Sequence, residues 1–357
     1  MDPVTHVATG LILSQLLPTP ARVWGAVAGA IFAVLPDLDY LLMTVDRLAF
    51  LRHHRGFSHS LLAIPLFALL GAGLGWALAG PRWFRPLFVL GLAVLASHLL
   101  LDLATPFGTQ IFSPFSRRKV AMDWLFIIDP YLTALLVAGA AAALFSPNWG
   151  RQVGAVFLTA AMAYMSLCGF YHHRALTLAQ QVFKEEPGEI TVAALPQPFS
   201  CRRWQLLGAG PQRISQAFVL LPYPISLGKG TAFRITQAAA INPHHDCAAP
   251  AGSYQPPQDL RIQTWTEARP APREFSPEAR RILDIYLEFA RFPLLFRAQN
   301  LGEEQLLEWL DLRFSVPGRD FPFLLQFHLD RQGQLRKWLL GRSQGEGSGV
   351  LGGGPGS

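Results

Sequence analysis

Apolar and polar positions divide the chain into two unlike halves. Residues 58–79, 86–104, 124–145 and 153–171 are near-continuous apolar runs. Each is close to the length of about 20 residues that crosses a bilayer as a helix. Two shorter runs, 7–17 and 23–36, precede them and are separated by the turn-forming Pro18, Thr19 and Pro20. They predict a short helical hairpin. Trp76, Trp83, Trp124 and Trp149 stand at run ends, as in an interfacial aromatic belt, which favours membrane helices over the core helices of a soluble all-α protein.

From residue 185 onward the pattern changes. Residues 190–195, 203–207, 216–221 and 231–236 are short strand-like runs broken by Pro and Gly. Ser276 and Pro277 suit the cap and first turn of a helix over 276–298. Its aromatic residues Tyr286, Phe289, Phe292 and Phe296 are expected in a core or interfacial face. Runs 305–315 and 321–330 predict paired strands about Pro317–Gly318. Residues 242–258 read as a Pro/Ala-rich loop, and 343–357 as a disordered Gly/Ser-rich tail. The expected architecture is an α-helical integral membrane domain over 1–175, with about six apolar helices of which the first two are short. A small soluble α+β domain over 185–342 follows, then the tail.

Composition sharpens this picture. The chain is 51% hydrophobic and 15% charged, where soluble domains carry about 25% charged residues. The net charge of +6 comes from basic residues scattered in short loops. That fits membrane-flanking charge rather than a nucleic-acid surface. Cys168, Cys201 and Cys247 have no paired spacing, so neither a disulfide framework nor a CxxC zinc site is expected. MDPVTHVATG lacks the basic region of a signal peptide, so residue 1 onward reads as mature protein. Counting six passes places the loops at 46–57 and 105–123 and the second half on one side. That side holds Arg47, Arg52, Arg55, Arg117, Arg118, Lys119 and Arg174, an excess that points it to the cytoplasm.

The candidate chemistry gathers on the same side. His6 opens the first hairpin, and Asp37 and Asp39 close it in PDLD. His53, His54, Arg55 and His59 lie in HHRGFSHS. His98 and Asp102 lie in SHLLLD, and Asp123 and Asp129 flank the next run. Ionisable groups beside membrane spans are costly and so mark functional sites. His98 and Asp102, four apart, project from one helix face, where both can bind one ion or the Asp can orient the His. Imidazole and carboxylate together suit zinc first, with manganese or iron as alternatives. The expected ligands are His6, Asp37, Asp39, His54, His59, His98 and Asp102, around one to three ions. Asp123, Asp129 and His53 form a second tier, with Asp129 also able to cap a helix. Arg55 is placed to grip a substrate phosphate with its planar fork. His244, His245 and Asp246 make a second cluster, but in a Pro-rich loop they read as ordinary loop residues.

These motifs carry a resemblance. THVATG, PDLD, HRGFSHS, SHLLLD followed by TPFG, and MDWLFIIDP together resemble the predicted membrane-bound metal-dependent hydrolases of the LexA-regulated inner-membrane type. The likeness covers roughly residues 1–175. ALPQPFSCRRW, EFARFP and the LDLRF…HLD stretch are similar to the soluble tail of some members. Ser58 stands where the pattern commonly has Thr, which keeps a hydroxyl. The His-x3-Asp and PD elements are also distantly similar to zinc-dependent phospholipase C. The resemblance implies a bacterial inner-membrane hydrolase, and the site's location and metal chemistry favour a lipid or lipid-linked phosphoester as its substrate. It would work through a metal-activated hydroxide at one membrane face, with Asp102 and Arg55 in catalytic roles. The alternative expectation is a metal-stabilised membrane scaffold or stress-response factor without turnover. A metal transporter would need ionisable groups at mid-membrane or on both sides.

Overall fold

The computed structural model describes residues 1–16, 21–184, 188–211, 213–222, 234–237, 253–266 and 275–341. The Pro18–Pro20 turn, the His244–Asp246 cluster, Cys247 and the 343–357 tail lie outside the described residues. The chain divides into two units, Met1–Phe170 and Tyr171–Ser357.

The first unit is helical. Its main helices are α1 (Pro3–Leu16), α2 (Arg22–Val34), α3 (Leu42–Val45), α4 (Arg47–His53), α5 (Ala63–Ala79), α6 (Phe84–Leu103), α7 (Pro130–Leu144) and α8 (Gly150–Val182), whose residues from Tyr171 onward belong to the second unit. A 3-10 turn, Leu35–Leu41, joins α2 to α3, and a second, Phe57–His59, precedes α5. Among the described residues, three stretches are long and apolar enough to cross a membrane: Arg22–Val45, Pro81–Leu103 and Gly150–Val182. Arg47–His59 with Ala63–Ala79 makes a fourth if this pair, bent by 71°, counts as one span. Six passes are expected, and among the described residues three or four are long and apolar enough to span. With 14 and 15 residues, α1 and α7 are apolar but short of a bilayer's thickness. The run expected at 124–145 starts its helix only at Pro130, because the Asp129 side chain caps it by accepting from Tyr131 N and Leu132 N, both at 3.0 Å.

Large apolar side chains stand outward on these helices, among them Trp24, Ile31, Leu70, Leu74, Trp76 and Met162. Such a surface suits lipid and would be an aggregation liability in water. Inside, α1 and α2 cross closely at Gly10 and Gly29, where a Cβ on Gly10 would fall 2.4 Å from Gly29 O. That approach sets α1 beside the end of α2, where the candidate chemistry begins.

The second unit contains two sheets. The first has the order β1 (Thr191–Pro196), β2 (Arg203–Ala209), β3 (Arg213–Leu220), β5 (Asp259–Thr266), β4 (Arg234–Gln237) and is antiparallel except for the parallel β4–β5 pair. The second is an antiparallel meander of β6 (Pro293–Leu301), β7 (Glu304–Asp311), β8 (Leu324–Asp330) and β9 (Leu335–Gly341). Leu195, Leu207, Ile214 and Trp265 share one core with Leu294 and Leu310 of the second sheet and with Phe292 and Leu312 beside it. The alternate residues Trp204, Leu206, Ala217 and Ile262 pack on Tyr171–Val182 of α8. Period-two alternation thus buries both faces of the first sheet.

The helix expected over 276–298 ends earlier. Helix α9 (Pro277–Phe289) stops before Ala290, and residues from Pro293 form β6. Proline at 293 disfavours helical backbone in the residue before it. Tyr286, Phe289, Phe292 and Phe296 are all buried, as expected of a core face. Burial raises the Tyr286 phenol well above its ordinary range, and its hydroxyl donates to Phe323 O at 3.1 Å.

Candidate metal centre

Four segments distant in sequence bring polar side chains to one buried place in the first unit. Pro36 stands at the start of the Leu35–Leu41 turn and redirects the chain leaving α2. Asp37, 7% exposed, points inward from that turn. His59 comes from the Phe57–His59 turn, and His98 and Asp102 come from adjacent turns of α6. One ligand atom from each of Asp37, His59, His98 and Asp102 lies within 4.8 Å of the other three.

The separations have a definite meaning. His59 Nε2 lies 3.3 Å from Asp37 Oδ1 and 3.2 Å from Asp102 Oδ2. His98 Nε2 lies 3.7 Å from Asp37 Oδ1, 3.5 Å from Asp102 Oδ2 and 3.2 Å from His59 Nε2. Four donors on one tetrahedral zinc, with bonds of ~2.0–2.1 Å, sit about 3.3–3.4 Å apart. The residues fit one such ion.

Proton accounting gives the same answer. His98 Nδ1 is 2.8 Å from Ala33 O. A carbonyl only accepts, so Nδ1 carries the proton and a neutral ring turns a bare Nε2 lone pair into the cluster. Asp37 Oδ2 and Asp102 Oδ2 are buried with no hydrogen-bond partner. Acceptors thus outnumber donors at a place sealed from water. Buried unpaired acceptors are expensive, and a cation would satisfy Asp102 Oδ2 and the Nε2 lone pairs together.

The surrounding residues hold these four in position. Ser58 Oγ is 2.9 Å from His59 Nδ1 and donates to Asp39 Oδ2 at 3.1 Å. With His59 Nε2 turned to the cluster, Nδ1–H donates to Ser58, and the hydroxyl relays to Asp39. Asp39 also accepts from Arg55 N at 3.1 Å and lies 2.8 Å from His54 Nδ1. Arg55, 2% exposed and at φ 56°, bonds Asp102 Oδ1 at 2.9 Å and Thr105 Oγ1 at 2.9 Å, with its guanidinium over the Phe107 ring. The α-amino group of Met1 pairs with the same Asp102 oxygen. Asp102 is left with Oδ2 as its oxygen toward His59 and His98.

The sequence-derived candidates therefore separate. Asp37, His59, His98 and Asp102 form the inner group. His6 stacks on His98 with ring centroids 3.7 Å apart and brings Nε2 to 3.4 Å from Asp102 Oδ1; neither of its nitrogens has a hydrogen-bond partner. Asp39 and His54 pair with each other outside the group, and His54 Nε2 is buried and unpartnered. His53 is exposed on α4. Asp129 caps α7 and accepts from Tyr164 OH at 2.9 Å. Asp123 is buried at φ 58° and is not among the clustered ligands. The Arg55 fork, expected on a substrate phosphate, is turned onto Asp102 and Thr105. Ser58 and Thr105 were not singled out for these tasks, although both lie within motifs that carry the family resemblance.

A Bacillus subtilis (strain 168) protein described as uncharacterized protein YfhP is 25% identical over 219 residues, which is 58% of this chain and 64% of that protein. The chain thus covers less than two thirds of that relative's length. No solved structure matches the chain. Residues 1–175, which carry every residue of the cluster, match the model of the YdjM inner membrane protein family, and with the apolar helices this match supports an integral membrane protein.

Proposed function

We propose that the first unit is a metal-dependent hydrolase of a lipid or lipid-linked phosphoester. Asp37, His59, His98 and Asp102 would hold one divalent cation, zinc before manganese or iron, with His6 beside them. The observation that carries this reading is the convergence of four lone-pair donors within 4.8 Å of one another, with each imidazole nitrogen 3.2–3.7 Å from the other and from the two carboxylates. A divalent cation so held supplies Lewis acidity and a hydroxide nucleophile near neutral pH.

The chain's own residues have distinct tasks in this reading. Ala33 O fixes the His98 tautomer, and the Ser58–Asp39 relay fixes that of His59. Arg55 and Thr105 lock the Asp102 carboxylate in place. His6, next to Asp102 and without a hydrogen-bond partner, is available to a substrate or to a further ligand position. Location beside the apolar helices supports a membrane substrate, and the donor chemistry suits a phosphoester.

The test is a panel of phospholipids and generic phosphodiesters offered to the metal-loaded full chain, with and without chelator. Chelator-sensitive release of a phosphate ester or headgroup supports the proposal. No such turnover on a broad panel, from protein with stoichiometric metal, overturns it.

One observation favours a second reading, a metal-stabilised scaffold without turnover. The four inner residues are 0–7% exposed, as in closed structural sites, whereas catalytic sites keep an open position. A small anion such as azide or cyanide separates the two. Perturbation of the spectrum of the cobalt-substituted protein indicates an open position.

A further inference from the structure

The segment after α6 carries a feature that the cluster does not use. Phe115 is 87% exposed and Phe112 is 49% exposed. Arg117, Arg118 and Lys119 follow directly, with Arg117 and Arg118 exposed. No acidic residue occurs between Asp102 and Asp123, and both of those aspartates are buried. The exposed side chains of the loop itself are therefore basic and aromatic.

This loop is built rather than loose. Thr109 and Val120 exchange both backbone hydrogen bonds, at 3.0 and 2.9 Å. Within the loop, Phe115 N and Ser116 N donate to Phe112 O at 3.0 and 3.1 Å. Its base is tied to the cluster-bearing segment, because Gln110 N donates to Arg55 O at 2.9 Å and Leu61 N donates to Ile111 O at 3.0 Å. Leu61 and Leu62 are themselves 53% and 47% exposed. Two apolar displays, Phe112 with Phe115 and Leu61 with Leu62, are thus joined through backbone contacts. The loop follows immediately on a candidate span that ends at Leu103.

We propose that residues 112–119 form an interfacial anchor for anionic phospholipid. Phe112 and Phe115 enter the headgroup boundary, and Arg117 and Arg118 bind lipid phosphates there. Charge complementarity selects the occupant. Aromatic rings partition to the headgroup level, and clustered Lys and Arg draw anionic lipid. Basic topology charge alone gives no reason for two outward phenylalanines held on a hydrogen-bonded loop. The proposal does not depend on hydrolysis.

The test uses detergent-purified full chain, exchanged into mixed micelles of phosphatidylglycerol and phosphatidylcholine. Bound lipid is counted by native mass spectrometry, and metal content and helical circular dichroism are followed as controls. The wild type is expected to retain phosphatidylglycerol over phosphatidylcholine. Arg117→Glu with Arg118→Glu is expected to cut that preference by roughly tenfold or more, while metal content is unchanged. Phe112→Ser with Phe115→Ser is expected to lower retention of both lipids. If charge reversal disturbs the fold, Arg117→Gln with Arg118→Gln must still reduce the preference. Equal retention by the wild type, or a preference that survives both charge variants, overturns the proposal and assigns the loop to a protein partner.

Discussion

Asp311 and Arg313 in the second unit are as buried as Asp102 and Arg55 in the first, at 1% and 4% exposed against 0% and 2%. Both are carboxylate–guanidinium pairs, and burial alone does not tell them apart. Their surroundings do. Asp311 accepts from Arg291 N, Phe292 N, Arg313 N and Arg313 Nε at 2.7–3.2 Å, so both of its oxygens are saturated. Arg313 also donates to Phe289 O at 2.9 Å. That network is complete within the protein and ties α9 to the second sheet. Asp102 keeps one oxygen unpartnered, facing two imidazole nitrogens across 3.2 and 3.5 Å, with the Asp37 carboxylate in the same group of ligand atoms. One pair is closed; the other asks for a cation. Donor counting, more than burial or charge, separates a structural network from a ligand site.

The comparison can be broken at several points. The largest effect on folding is expected at Asp311→Ala, which strands a buried guanidinium. Losing one partner of such a pair costs ~3–5 kcal/mol. Thermal melting and limited proteolysis of the full chain should show the second unit loosened while bound metal stays stoichiometric. Metal loss in this variant would mean that the two clusters are not separable.

The next effect is the mirror image. Asp37→Asn, or His98→Ala, should weaken metal binding by more than about 100-fold, because removing even an outer supporting group costs ~10–100-fold. Metal-free Asp37→Asn protein should melt close to metal-free wild type, since Asn keeps the side chain's shape and an oxygen toward His59. Competition with a metal-sensitive dye checks the first statement, and melting in chelator checks the second. A lower melting point in chelator would make Asp37 a structural residue like Asp311.

The smallest effect is expected at Ser58. Ser58→Ala should weaken metal binding by roughly tenfold through loss of the His59 relay, and Ser58→Thr should restore it. Equal affinities for all three proteins would remove Ser58 from the account.

Much of the site was legible in the sequence, for physical reasons. His98 and Asp102 at helical spacing had to share a face, and Asp37 and His59 stood at ends of apolar runs on the side where the topology returned. Asp39 was harder. The PDLD segment folds as a 3-10 turn of about three residues per turn, so residues two apart diverge by a third of a turn. Asp37 faces the cluster and Asp39 turns to His54. The sequence points the Arg55 fork at a substrate phosphate, because nothing in the spacing shows that Thr105 and the buried Asp102 engage it.

The fold was legible where periodicity was strong. The apolar runs gave the helices, but length alone did not show that α5 is bent away from His59 or that Asp129 delays α7. In the second half β1 to β3 were readable. The strand β5 was not, because only Leu260 and Ile262 alternate before Thr264 and Trp265 take the opposite faces. The helix α9 was overrun because its apolar spacing continues into Phe292 and Leu294, although Pro293 stands between them.

The most direct measurement is the metal content and ligand set of the purified full chain, by elemental analysis with X-ray absorption. One divalent ion per chain, in a first shell of two imidazole nitrogens with carboxylate oxygens and lost in His98→Ala, is the predicted result. A chain that stays metal-free when supplied with zinc, manganese or iron, or that keeps its full complement in His98→Ala, would contradict it.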